Sequence, residues 1–152
     1  MVDQIRASSV SASNAMQGTK NNLRLTFPNF AQDGLRVRAG GNVTISVPKT
    51  QVGDLQPPDC EHNSPPIYNG WVEWMVDGKL QQPIQFAQPH YTGSGGYDGT
   101  ETTSITLKIP ADANDVQFWF HTKNTAIART YGWDTERYIP GQYHNYDVKV
   151  ER

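Results

Sequence analysis

Only one cysteine, Cys60, occurs in the 152 residues, so no disulfide can form within the chain. No apolar run is long enough to cross a bilayer, and Met1 to Gln17 contain no apolar centre of a secretion signal. The expectation is a soluble chain with no signal peptide in view; its compartment, cytoplasmic or reached by a leaderless export route, stays unassigned. Charge is scarce too: 18% of residues are charged and the formal net charge is −2. That balance leaves no electrostatic footprint for nucleic acid or an anionic membrane, and neither is expected as a partner. Arg24, Arg36 and Arg38 form a small basic group that reads as the solvated face of two strands. No apolar pattern of helical period survives the many prolines and glycines. The phosphate-loop and dinucleotide patterns are missing as well: Gly93 to Gly99 is glycine-rich but lacks the Lys-Ser/Thr pair and the following helix.

What remains is a chain made polar by Asn, Gln, Ser, Thr and Gly, the residue types of turns and strand faces. Period-2 alternation recurs throughout. Leu23, Leu25 and Phe27 alternate with Arg24 and Thr26. Leu35, Val37 and Ala39 alternate with arginines, and Val43, Ile45 and Val47 follow after Gly40-Gly41. Ile105, Leu107 and Ile109 form a further set; Val116, Phe118 and Phe120 alternate with Gln117 and Trp119; Tyr146, Val148 and Val150 close the chain. Each segment has one dry and one wet face, which suits antiparallel sheets. Trp71–Val76 and Ile84–Ala87 bring the strands to eight, with Asp77-Gly78 as a hairpin turn between two apolar runs.

The fold expected is therefore all-β: an antiparallel, Ig-like β-sandwich of about eight strands. Residues 1–19 read as a flexible tail and residues 20–152 as a single domain. Val72, Trp74 and Val76 point inward, with Trp74 as the large central core residue, and Trp71, Glu73 and Met75 take the other face. Two long connections are expected. One spans Gln51 to Asn69 and carries Pro57, Pro58, Pro65 and Pro66; the other, Pro89 to Thr100, is rich in Gly and Tyr.

Motifs for chemistry are weak. Asp59, Cys60, Glu61 and His62 offer metal ligands in sequence, but a structural zinc site needs a second pair, and His90, His121 and His144 are scattered. Nothing activates the Cys60 thiol as a nucleophile. Among Glu73, Asp77, Asp98, Glu101, Asp134 and Glu136 no carboxylate pair stands out for glycoside hydrolysis. No enzyme activity, metal or cofactor is expected.

The aromatics carry more. Gln117, Trp119 and His121 project together from the outer face of one strand. Tyr91, Tyr97, Tyr131, Trp133, Tyr138 and Tyr143 fall in connections, where an exposed ring needs either a core to cover it or a ligand to stack on. Flat rings beside Asn, Gln, Asp and His suit saccharides: the rings stack on pyranose C–H faces and the polar groups read hydroxyls. The same rings also suit a lid folded over one end of a sandwich. Both readings are open at this point.

From Thr103 onward the chain resembles the C-terminal half of starch-binding carbohydrate-binding modules of the Ig-like sandwich type. The matching stretches are Ser104 to Pro110, Val116 to Phe120, Trp133-Asp134, and Asn145-Tyr146 entering the last strand. Thr135-Glu136-Arg137 stands where those modules show a run of Asn, and Ile139-Pro140 lengthens the segment before Gly141. The chain also resembles small bacterial proteins built as lone β-sandwich domains, which implies no activity. The first resemblance implies a non-catalytic module with Trp133, Asp134 and Asn145 at its site, to which Trp119 and Tyr131 are added as candidate platforms. An oligosaccharide or polysaccharide is the favoured partner; a protein partner of a structural or interaction domain is the alternative.

Overall fold

The computed structural model describes residues 19–58, 66–93, 95–124, 135–141 and 144–152. Tyr131, Trp133, Asp134 and Tyr143 lie outside the described residues, as do Cys60, His62 and the expected tail up to residue 18.

The chain is all-β, and its described residues form ten strands in one sheet curled into a half-barrel. In chain order these are β1 (Lys20–Thr26), β2 (Leu35–Ser46), β3 (Asn69–Val76), β4 (Lys79–Leu80), β5 (Ile84–Tyr91), β6 (Tyr97–Thr102), β7 (Ile105–Lys108), β8 (Asp115–Lys123), β9 (Glu136–Ile139) and β10 (Tyr146–Glu151). The main path runs β1-β2-β10-β8-β3-β5-β6; β4 pairs with β3, β7 with β2 and β9 with β8.

The sheet is mixed, which corrects the expectation of an antiparallel one. β1 and β10 both pair with β2 in parallel. Alternation reports that one face of a strand is covered and says nothing of its neighbour's direction, so it could not distinguish the two. Gly40-Gly41, read as a break between two strands, instead lies inside the twelve-residue β2. Residues 35–38 run beside β10, and residues 42–45 run beside β7 with β1 on the other edge. Gly40 takes φ +78°, and a Cβ on Gly41 would lie 2.2 Å from the Asn21 carbonyl oxygen. These glycines let β2 turn the corner of the sheet while β1 passes close against it. Pro89 to Thr100 is no long connection either, since β5 extends to Tyr91 and pairs with β6 as a hairpin. The Asp77-Gly78 hairpin is as expected, with both residues at positive φ, +49° and +81°.

Inner and outer faces follow the alternation. Val116, Phe118, Phe120 and Thr122 of β8 are buried, and so are Gly70, Val72, Trp74 and Val76 of β3. Trp74 faces inward, with its indole N–H donating to the Gln82 carbonyl at 3.0 Å. The centre of the core is phenyl rather than indole. Phe118 stacks on Tyr146 at 5.0 Å, while Phe27 and Phe86 meet Phe120 edge-on at 5.3 and 5.4 Å. A 3-10 turn, Lys49–Leu55, covers one end and is held by side chains from three strands or their flanks. Tyr68 Oη donates to the Val52 carbonyl and Thr122 Oγ1 to the Leu55 carbonyl, both at 2.7 Å. Arg137 Nη1 donates to the Asp54 carbonyl at 3.1 Å.

Candidate functional site

The outer face of β3, β8, β9 and β10 is where this fold gathers aromatic and polar side chains. Because β3 and β8 pair antiparallel, Trp71 lies opposite His121, Glu73 opposite Trp119, and Met75 opposite Gln117. β9 lies along the far half of β8 on its other edge, putting Tyr138 opposite His121 and Glu136 opposite Lys123. β10 covers the near half, with Asp147 opposite Gln117. Directly opposed residues on one face are close enough for side-chain contact.

His121 is the centre of this group. Its Nδ1 lies 3.0 Å from Glu73 Oε2 and its Nε2 lies 2.5 Å from Glu136 Oε1. Tyr138 stacks on the imidazole with centroids 4.4 Å apart and planes 8° from parallel, and Trp71 flanks the ring at 5.7 Å. Trp119 joins through the other oxygen of Glu73, its Nε1 donating to Oε1 at 2.7 Å. Side-chain exposure falls from 31% at Glu136 and 23% at Glu73 to 15% at His121, so the network sinks toward its histidine. Trp71 and Trp119 are half-buried and Tyr138 is exposed, so part of each ring faces solvent.

Further along β8 the face becomes wholly polar. Asn145 Nδ2 donates to Gln117 Oε1 at 3.0 Å. Around them an open depression of about 440 Å³ is lined by Gln32, Asp33, Asp115, His144, Asp147 and Lys149 among others. Asp115 Oδ1 and Asp147 Oδ1 are buried and receive no hydrogen bond from the described residues. Burial, then the neighbouring Asp115 carboxyl and its charge, push the Asp147 carboxyl up from an ordinary 3.8 to about 6.

Of the residues singled out in the sequence, Trp119 and Asn145 share this face. Trp133, Asp134 and Tyr131 lie outside the described residues. The sequence reasoning did not place Glu73, His121, Glu136 and Tyr138 at a site. Alternation located Glu73 and His121 on outer faces, but only strand pairing brings them together.

Among the described residues, no group of three or more His, Cys, Asp or Glu side chains is arranged to hold a metal ion, and no helix is long and apolar enough to cross a membrane. A second cavity, of about 480 Å³, lies between the 3-10 turn and β6 and includes His90, Asp98 and Thr100. His90 Nδ1 lies 2.5 Å from Asp98 Oδ1, and that hydrogen bond, together with the Asp98 charge, raises the histidine's pKa.

The chain matches no family model, no curated protein and no solved structure.

Proposed function

We propose that this domain binds carbohydrate without transforming it, on the outer face of β3, β8 and β9. The observation that carries the reading is the Trp71–His121–Tyr138 ring group, joined to Trp119 through Glu73. Partly exposed rings supply stacking surface for the C–H face of a sugar. Glu73, Glu136, Gln117 and Asn145 supply acceptors and donors for its hydroxyls beside those rings. A shallow face of this kind gives weak binding, in the micromolar to millimolar range. The resemblance to starch-binding modules adds Trp133 and Asp134 to the proposal beside Asn145, and Tyr131 remains a candidate platform; all but Asn145 lie outside the described residues.

The Ig-like sandwich is proposed on a related ground. Leu25, Val43, Ile45, Ile105 and Leu107 of β1, β2 and β7 share one core with Val72, Phe118 and Phe120 of β3 and β8. The corner at Gly40-Gly41 supports two facing layers joined by β2.

A glycan array with purified protein, Trp119→Ala and Trp133→Ala tests the function. Binding to a coherent class of glycans that disappears in Trp119→Ala is expected. Silence from folded wild-type protein across α-glucans, β-glucans and chitin oligomers sinks the reading.

One observation favours the protein-interaction alternative. Tyr91 and Tyr97, 57% and 45% exposed, pack edge-on at 5.7 Å at the end of the β5–β6 hairpin. Self-association or partner capture through that pair would show as a larger particle in light scattering that Tyr91→Ala returns to monomer size.

A further inference from the structure

We propose that His121 is a positioning residue that acts as a proton-operated clamp, fastening β9 and its Tyr138 ring onto the outer face when the imidazole is doubly protonated. The argument rests on hydrogen-bond inventory. An ionised carboxylate only accepts, whereas a neutral imidazole has one donor nitrogen and one acceptor nitrogen. Both nitrogens of His121 face carboxylate oxygens, Glu73 Oε2 at 3.0 Å and Glu136 Oε1 at 2.5 Å. Only the imidazolium can donate to both. When it gives up a proton to solvent, one nitrogen turns a lone pair toward a carboxylate and that contact opens.

Which contact opens follows from the surroundings. Glu73 keeps a second donor, the Trp119 indole N–H on its other oxygen. Glu136 has His121 as its hydrogen-bond partner among the described residues, is the more exposed of the two carboxylates, and sits on a four-residue strand. Glu136 is therefore released and Glu73 retained. Stacking adds to the effect, because a cationic ring on the face of Tyr138 is held more strongly than a neutral one.

Among the described residues, the charged groups facing the imidazole are Glu73 from β3 and Glu136 from β9; Tyr138 contributes a phenol on the same side. On its own strand, Lys123 lies two residues further, opposite Asn69 and Glu136. Arg137 of β9 instead donates to the Asp54 and Gln56 carbonyls. Asp147 and Lys149 of β10 are aligned with Gln117 and Asp115 at the other end of β8. The clamp does not depend on what the face binds, and its test reads the unliganded protein, so failure of glycan binding leaves it standing.

The test is amide hydrogen exchange on the intact protein from about pH 5 to about pH 8, where imidazoles change charge, with rates corrected for intrinsic exchange. The amides of Glu136–Ile139 are expected to lose about tenfold or more in protection as pH rises, the equivalent of one charge-assisted bond. Those of Tyr146–Glu151 on the same strand edge serve as a reference. Glu136→Gln discriminates the mechanism: its amide can donate to a neutral imidazole, so β9 is expected to stay protected across the whole range. Wild-type β9 protection that does not change relative to β10 overturns the proposal, and so does an undiminished loss in Glu136→Gln.

Discussion

Gly70 on β3 lies against the ring of Phe86 on β5: a Cβ at Gly70 would stand 2.7 Å from both Cε1 and Cζ of that ring. Phe86 is buried, with 1% exposure, and its ring contacts Phe120 in the core, so it has little room to retreat. Gly70→Ala is expected to destabilise by about 1–3 kcal/mol through overpacking, despite the smaller backbone entropy of alanine in the unfolded chain. Chemical denaturation should show a lowered midpoint. Adding Phe86→Leu, which shortens the obstructing group, should recover part of the loss.

The two tryptophans of β3 should respond very differently. Trp74 is buried and its indole N–H is satisfied by Gln82, whereas Trp71 is on the outer face beside His121. Trp74→Ala is expected to cost about 3–5 kcal/mol, a large share of the stability of a domain this size. Trp71→Ala should cost far less and leave the fold intact. Equal losses in melting experiments would mean that β3 shows its other face to the core.

The 3-10 turn depends on polar anchors from beneath. Thr122 is fully buried and its hydroxyl meets the Leu55 carbonyl, while Tyr68, also fully buried, meets the Val52 carbonyl. Thr122→Val and Tyr68→Phe each leave a carbonyl without its donor, so each is expected to cost about 1–3 kcal/mol. Both act on one seven-residue segment, so the double variant should depart from additivity. A double-mutant cycle from denaturation curves measures this.

Stability should fall as pH rises through the mildly acidic range. The Asp147 carboxyl is raised in the folded state from an ordinary 3.8 to about 6. Between those values the unfolded chain has already lost this proton and the folded chain still holds it. By linkage, the contribution is fully present below 3.8 and is lost by the time pH passes about 6. Asp147→Asn supplies an amide donor toward Asp115 and should remove this part of the slope. Urea denaturation of both proteins at several pH values checks it; parallel profiles would count against the raised Asp147 carboxyl.

By itself, the sequence determined the strands' faces. Alternation at Val116–Phe120 and at Trp71–Val76 reports local burial, so it placed Phe118 and Trp74 inward and Trp119, His121, Trp71 and Glu73 outward. Asp77-Gly78 was legible because positive φ at both turn residues selects those residue types. What the strands pair with was not legible, since strand pairing is a long-range property that a period of two does not encode. Hence the parallel neighbours of β2 came only from the tertiary structure, as did its unbroken passage through Gly40-Gly41 and the β5–β6 hairpin. The candidate site belongs to the same category. Glu73 and Glu136 stand 48 and 15 positions from His121 in the chain, and only the pairing of β3 and β9 with opposite edges of β8 brings both carboxylates to one imidazole.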